Sequence, residues 1–210
     1  MKVNHYTLLS LVFLALSLLM KSIPLLDIKV LKFFNTLMID KTFFSYFTEI
    51  GNGLICLAIT VPLLSLISYR TPLNNVKVQT LVFVGLGVGL IVKVLKELTS
   101  LYAVRPGFYE FEDVIYLEPV YLYSSFPSGH AATIFSLFLV WISLAFRNTK
   151  ISNAGLTITL LLIFALMVSL SRVIVAAHWL SDVLGSIALA LIALNAIRFK
   201  VFENILFESR

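Results

Sequence analysis

The residues best suited to chemistry lie in the segment 171–182, which reads Ser-Arg-Val-Ile-Val-Ala-Ala-His-Trp-Leu-Ser-Asp between two apolar runs. His178 and Asp182 are four residues apart, so on a helix they share one face and can contact each other. Charged residues at the edge of an apolar span are costly in free energy and are usually functional. On its own the segment also fits a helix end with snorkelling charges. Together with the two groups described next, it predicts one half of a site that processes phosphate.

The second group is Pro-Ser-Gly-His at residues 127–130, which opens a further apolar run. A helix N-terminus presents free N–H groups and the positive end of the helix dipole, and both favour anions. Ser128 suits the N-cap, and Gly129 lets a ligand approach the backbone closely. An ordinary cap followed by an interfacial His130 fits the tetrapeptide equally well, so both interpretations stay open at this point.

The third group lies upstream and contains Lys96, Glu97, Arg105 and Pro106. Arginine offers a planar fork for phosphate oxygens, whereas lysine offers a compact point charge. Taken alone, these side chains more often represent snorkelling or solvated charges at the end of a span. Their meaning therefore depends on the elements that surround them.

The composition is typical of an integral membrane protein. Of the 210 residues, 60% are hydrophobic and 13% are charged, and the mean hydropathy is +0.99. A soluble domain does not need this much apolar surface. The net charge of +5 is not gathered into a basic cluster, so we expect no nucleic-acid partner. Cys56 is the only cysteine, which excludes an intrachain disulfide and a cysteine-based metal site.

Six apolar segments approach the ~20 residues that a membrane-spanning helix requires. They are residues 6–26, 52–69, 79–97, 128–146, 154–172 and 180–197. Charges at mixed spacing interrupt residues 27–50, which predicts an amphipathic segment on the membrane surface between the first two spans. The first span lacks a small-x-small cleavage site, so we interpret it as a retained helix. The predicted fold is a single all-α polytopic membrane domain over residues 1–210.

The distribution of charge favours an N-terminus and a C-terminus that both lie in the cytoplasm. With this orientation the cytoplasmic segments are shorter and carry a net positive charge, although the counts of Lys and Arg on the two sides are equal. The loop 98–127 and the segment 171–182 then lie on the same, non-cytoplasmic side. All three polar groups are thus expected to meet at one membrane face.

The order of the three groups resembles the signature of the type-2 phosphatidic acid phosphatase superfamily. That family includes membrane lipid phosphatases and soluble vanadate haloperoxidases, and the resemblance covers residues 93–190. The second and third motifs match in full. The family usually places its lysine seven residues before the arginine of Arg-Pro, where this chain has Leu98. Lys96, nine residues before Arg105, is the nearest lysine, and Lys93 is a weaker candidate.

The resemblance implies a role for each motif residue. His178 is the nucleophile, Asp182 orients its ring, and His130 protonates the leaving oxygen and then activates water. The substrate-phosphate-binding residues are Lys96, Arg105, Ser128, Gly129 and Arg172. No metal or other cofactor is implied, and the sequence has no carboxylate cluster suited to Mg²⁺.

The resemblance further implies a lipid phosphatase that forms a phosphohistidine and acts on a phosphomonoester or diphosphate at the non-cytoplasmic face. Candidate substrates are phosphatidylglycerol phosphate, phosphatidic acid, undecaprenyl diphosphate and lipid A 1-phosphate, with membrane lipids as surroundings. A lipid phosphotransferase of the same family is the alternative. A transporter ranks lower because the charges cluster at span ends, and the spans exclude a soluble haloperoxidase. The compact chain suggests a bacterial inner membrane, with the site facing the periplasm or exterior.

The loop 107–126, acidic and aromatic, is the expected specificity element. Tyr102, Phe108 and the aromatic residues within 121–126 either line the access route of the lipid or anchor the chain at the membrane interface, which is the more frequent role. The sequence predicts neither the lipid nor the oligomeric state.

Overall fold

The computed structural model describes residues 5–70, 78–117, 119–145 and 154–198, and all regular secondary structure in these ranges is helical. The predicted all-α class is therefore confirmed for the described part of the chain. A π-helical segment, Cys56–Thr60, joins α4 to α5, and a 3₁₀ helix, Pro106–Tyr109, lies in the long loop after α6. The helices are α1 (His5–Ser22), α2 (Pro24–Asn35), α3 (Lys41–Glu49), α4 (Gly53–Ile55), α5 (Val61–Arg70), α6 (Val78–Thr99), α7 (Gly129–Ala145), α8 (Ala154–Ile174) and α9 (Leu180–Arg198).

Four of these helices are long and apolar enough to cross a membrane: α1, α6, α8 and α9. Three of them agree closely with the predicted spans, because each is a long apolar run. The first predicted span, 6–26, is too long, since α1 ends at Ser22 and Pro24 begins α2. Proline lacks the N–H needed to continue a helix but suits its first turn.

The second predicted span, 52–69, differs more from the structure. Lys41–Glu49 and Gly53–Ile67 pass as a spanning element only as a pair, bent by 58°. Each limb of the pair has its own N-cap. Asp40 caps α3 by accepting a 2.7 Å hydrogen bond from Thr42 N, and Asn52 caps α4 by accepting one of 3.0 Å from Leu54 N. Residues 27–50, predicted as one surface segment, thus contain most of α2 and all of α3, which is the first limb of this bent pair.

The central helix, α7, is apolar but only 17 residues long. With the bent pair counted once, the described residues contain up to five candidate spans, so the predicted number of six is not confirmed. Helix α7 is buried on almost every side by α6, α8 and α9, which fits its all-round apolar sequence. Trp141 anchors it to α5 by donating a 3.1 Å hydrogen bond to Leu64 O.

The remaining N-terminal helices pack against the C-terminal ones. Helix α1 lies along α9, while α2 and α3 contact α8. Asn35, at the end of α2, is buried and donates to Ile115 O at 2.9 Å and to Ile174 O at 2.7 Å. It also accepts a 2.8 Å bond from Ile115 N. One side chain thereby fixes the long loop to the end of α8, directly beside the polar segment 171–182.

Candidate active site

The three polar groups predicted from the sequence meet where α6 and α8 end and where α7 and α9 begin. A cavity of about 290 Å³ opens there, and Arg105, His130 and Arg172 line it. Residues of α3 close its other side, including Thr48 and Glu49. The helix ends therefore gather cationic side chains around a space large enough for a phosphate group.

A tight turn between α8 and α9 positions His178. The N–H groups of Ala177 and His178 both donate to Arg172 O, at 3.0 and 3.1 Å. Ala176 adopts a left-handed conformation with φ 54°, which a residue with a side chain adopts only at a cost of ~1 kcal/mol or more. This turn brings the imidazole of His178 beside the first turn of α9, where only 1% of the residue remains exposed.

His178 faces the carboxylate of Asp182, with 3.5 Å between Nδ1 and Oδ2. That distance is longer than a normal hydrogen bond, although the two groups remain close enough to interact electrostatically. Oδ2 also accepts hydrogen bonds from Ser125 Oγ and, at 3.1 Å, from Trp179 N. Burial lowers the pKa of His178 to about 3, although the neighbouring carboxylate acts in the opposite direction. The imidazole is therefore neutral at pH 7 and retains a lone pair.

Arg105 is held in place by backbone carbonyls. Its Nε donates to Tyr123 O at 2.9 Å, and its Nη1 donates to Ala177 O at 3.2 Å. The guanidinium also lies 5.2 Å from the ring of Tyr121. Burial lowers the pKa of Arg105, yet a guanidinium remains charged in proteins. The loop after α6 thus fixes a permanent positive charge next to the His178 turn.

Arg172 is equally buried, but α3 contacts it. Its Nη1 donates to Thr48 Oγ1 at 2.8 Å, and Ser171 Oγ donates to the same hydroxyl at 3.0 Å. Glu49 Oε1 lies 4.0 Å from the guanidinium and 3.6 Å from His130 Nε2. Asn52 Nδ2 donates to the other oxygen of Glu49 at 3.0 Å. The bent pair of helices therefore carries one carboxylate to the edge of a cationic site.

The N-terminus of α7 contributes Ser128, Gly129 and His130. Ser128 is fully buried, and its carbonyl accepts from Ala132 N at 2.9 Å and from Ser186 Oγ at 3.0 Å. Gly129 begins the helix, so its N–H is among the free donors of the first turn. No partner for the hydroxyl of Ser128 lies among the residues that the structure describes.

Several buried polar atoms around the cavity share this lack of a hydrogen-bond partner. Each such atom lowers the stability of the folded protein by about 1–3 kcal/mol unless a ligand forms the hydrogen bond. An oxyanion with several acceptor oxygens would satisfy the donors among them. Among the residues that the structure describes, none hydrogen-bonds to Ser128 Oγ, His130 Nε2 or Arg172 Nε.

Of the two candidate lysines, Lys96 is half-buried and lies close enough to interact electrostatically with Arg105 and Arg172. Lys93 is exposed. The structure therefore brings Lys96, rather than Lys93, towards the other predicted site residues. Among the residues that the structure describes, no group of three or more His, Cys, Asp or Glu side chains is placed to hold a metal ion.

The sequence did not indicate four contributors from the N-terminal helices: Lys21, Asp27, Thr48 and Glu49. Lys21 Nζ lies 2.9 Å from Asp182 Oδ1, and Asp27 accepts bonds from the N–H and hydroxyl of Ser181. The Thr48–Arg172 and Asp27–Ser181 contacts join residues 124 and 154 positions apart along the chain. No local motif could have revealed them, because only tertiary packing brings the residues together.

Comparison with known proteins supports the predicted family. The profile of the PAP2 superfamily matches residues 77–205, whereas no curated protein sequence matches the chain. The structure is similar to that of the first transmembrane PAP2-type phosphatidylglycerolphosphate phosphatase from Bacillus subtilis, with a TM-score of 0.71 and 22% identity. That similarity covers 99% of this chain and 100% of the other.

A second similar structure is Aquifex aeolicus LpxE. Its TM-score is 0.60 at 21% identity, and the similarity covers 81% of this chain and 93% of that one. At such identities the two structures demonstrate a shared fold. The family profile spans more than half of the chain and includes all three motifs. The chain therefore belongs to the PAP2 superfamily, the type-2 phosphatidic acid phosphatase superfamily that its motifs predict.

Proposed function

We propose that this protein is an integral membrane lipid phosphatase that hydrolyses a lipid phosphomonoester or diphosphate through a phosphohistidine and without a metal ion. The observation that carries the proposal is the cavity lined by Arg105, His130 and Arg172 beside a buried, neutral His178. Fixed positive charges in a site shielded from water stabilise the charge that develops during phosphoryl transfer. Such charges can replace the metal ion that many phosphatases use.

The first step transfers the phosphoryl group to the enzyme. Nε2 of His178 attacks phosphorus in line, so that a P–N bond forms as the bond to the leaving oxygen breaks. The electron pair of the broken bond goes to that oxygen, and protonated His130 supplies its proton. Asp182 stabilises the cationic phosphohistidine ring through Nδ1–H. The leaving group is the lipid alcohol of a monoester or the lipid phosphate of a diphosphate.

The second step releases phosphate. The now neutral His130 takes a proton from water as the water oxygen attacks phosphorus. The P–N bond breaks, and its electron pair returns to the ring of His178. The phosphate oxygens are held throughout by Lys96, Arg105, Arg172, Ser128 Oγ and the Gly129 N–H.

A lipid phosphate lies at headgroup level, and the position of this cavity among helix ends supports the same depth for it. We further propose six spans, which are reached when α7 and the bent pair each count as one. The site then faces the non-cytoplasmic side of a bacterial inner membrane. The substrate classes remain phosphatidylglycerol phosphate, phosphatidic acid, undecaprenyl diphosphate and lipid A 1-phosphate. The fold shared with a phosphatidylglycerolphosphate phosphatase supports beginning with the first of these.

The test is phosphate release by the purified protein in detergent, with each of the four lipids and with EDTA present throughout. We expect release that vanadate inhibits, and an acid-labile ³²P label on His178. His178→Ala should abolish both signals, whereas His5→Ala, which changes an exposed histidine on α1, should leave them intact. Loss of activity in EDTA, or full activity of His178→Ala, would contradict the mechanism. Transfer of the label to a second lipid instead of water would establish a phosphotransferase.

A further inference from the structure

Asp182 is fully buried at the start of α9, and each of its oxygens has a distinct environment. Oδ2 faces His178 and accepts from Ser125 Oγ and Trp179 N. Oδ1 faces the ammonium group of Lys21 at 2.9 Å, across from the last turn of α1. A buried carboxylate is strongly destabilised unless a counter-charge or hydrogen bonds compensate it. The side of Asp182 that points away from the catalytic cavity therefore depends on the N-terminal helix.

The position of Lys21 is fixed by contacts on both sides of it in the sequence. Ser17 Oγ donates a 2.7 Å hydrogen bond to Ser181 O, which ties α1 to the first turn of α9. After the break at Pro24, Asp27 of α2 accepts a 3.2 Å bond from Ser181 N and another from its hydroxyl. The ammonium group itself lies 4.5 Å from the ring of Phe126. Helices α1 and α2 thus clamp the residue that precedes Asp182 and aim a cation at its carboxylate.

We propose that Lys21 is a positioning residue for the His178–Asp182 pair, so that the N-terminal helix completes a relay of lysine, aspartate and histidine. Lys21 keeps Asp182 ionised and oriented, and Asp182 in turn holds the proton on Nδ1 of His178, leaving Nε2 free for attack. The proposal rests on the proposed function. It extends the site to a residue outside the stretch 77–205 that the family profile matches.

The pH dependence distinguishes this role from a purely structural ion pair. Removal of one positive charge makes protonation of the His178–Asp182 pair more favourable. The acidic limb of the kcat–pH profile should therefore move to higher pH when Lys21 is neutralised. The charged groups that face Asp182 from the surrounding elements are Lys21 on α1, Asp27 on α2, Lys96 on α6, Arg105 in the loop and His178 itself.

The experiment compares Lys21→Met and Lys21→Arg with the control Lys29→Met, which changes an exposed lysine of α2. For Lys21→Met we expect kcat to fall about 10-fold to 100-fold with KM changed less than 2-fold, a smaller loss than the ~10⁴-fold expected for Asp182→Asn by triad logic. The acidic limb should shift upwards. Lys21→Arg should recover most of kcat, and Lys29→Met should match the wild type.

Chemical rescue keeps the test decisive if the Met variant is poorly folded. A second cavity of about 180 Å³, lined by Lys21, Asp27 and Trp179 among others, adjoins the ammonium group. Ethylammonium should therefore restore part of the kcat of Lys21→Ala, whereas tetramethylammonium, which cannot donate a hydrogen bond, should not.

A Lys21→Met variant with wild-type kcat and an unmoved acidic limb would overturn the proposal. So would a further loss when Lys21→Met is added to Asp182→Asn, because a residue that acts through Asp182 has no effect without it. Neither result would affect the proposed function, which depends on phosphate release by the wild type and on its loss in His178→Ala.

Discussion

The two parts of the molecule contribute to the candidate site in different ways. The C-terminal part, residues 78–198, carries every motif residue, and each lies at or beside a helix end that faces the cavity. The N-terminal part, residues 5–70, carries no recognisable motif, yet Lys21, Thr48 and Glu49 contact the same charged side chains from behind or from the side. The first set supplies the residues of the proposed phosphate site, whereas the second pairs with the charges of the first.

This difference explains why the motif residues can be buried at all. A buried arginine or aspartate is tolerated only when other groups satisfy its hydrogen bonds and charge. Thr48 binds Arg172, and Lys21 pairs with Asp182, so α3 and α1 each stabilise one motif residue. Variants in the two parts should therefore have different effects. Loss of a motif residue should remove most of the activity, whereas loss of its N-terminal partner should change the rate, the pH dependence or the anion affinity more modestly.

A large loss of kcat is expected on the motif side, for Arg172→Lys. A guanidinium can donate to Thr48 and to two phosphate oxygens at once. The ammonium group of a lysine is smaller and lies closer to the backbone, so it cannot make all of these contacts. We expect kcat to fall by about 10²-fold to 10³-fold, in the range seen when one oxyanion-stabilising donor is removed. The measurement is phosphate release in detergent, with Lys93→Met as the exposed control. Activity within 5-fold of wild type would show that the arginine acts only through its charge.

A smaller effect is expected where the N-terminal part touches the backbone of α7. A Cβ on Gly51 would lie 2.9 Å from His130 Cβ and 3.1 Å from His130 O, whereas one on Gly53 would meet nothing within 4 Å. Gly51→Ala must therefore displace either the bend between α3 and α4 or His130 itself. We expect about a 10-fold loss of kcat, because displacements of ~1 Å cost up to 10²-fold. Gly53→Ala is the matched control and should keep wild-type kcat and thermal stability.

If Gly51→Ala loses thermal stability but retains kcat, the bend yields and His130 stays in place. The close contact would then serve packing alone. Equal behaviour of the two glycine variants would mean that the bend does not position His130.

The difference between the N-terminal and C-terminal parts also determines how much of the fold and of the candidate site could be predicted from the sequence. The spans around α6, α8 and α9 were predicted to within about two residues, since long apolar runs leave few alternatives. His130, Arg172, His178 and Asp182 could be predicted as site residues because their spacing within each motif is local. The role of Lys21 could not be predicted, and residues 27–50 were predicted as a surface segment, because contacts with α8 and α9 leave no periodic signal in the sequence. Pro24 did mark the true end of α1, but the apolar residues after it suggested a longer span.

The smallest effect, and one of opposite sign, is expected for Glu49→Gln. The carboxylate lies 3.6 Å from His130 Nε2 and 4.0 Å from Arg172 Nη1, and at this position its negative charge repels an incoming anion. The side chain is 44% exposed, and solvent therefore screens much of this repulsion. An exposed charge interaction is worth ~0.5–1 kcal/mol, which corresponds to about a 2-fold to 5-fold change in affinity.

Glu49→Gln should accordingly lower the inhibition constant for vanadate by that factor while Asn52 still holds the amide. Glu112→Gln, an exposed change in the long loop, serves as the control and should leave the constant unchanged. Tighter vanadate binding would show that the N-terminal part moderates the anion affinity of the motif residues. Weaker binding would reverse the comparison, because Glu49 would then be acting mainly to orient Arg172 towards the phosphate.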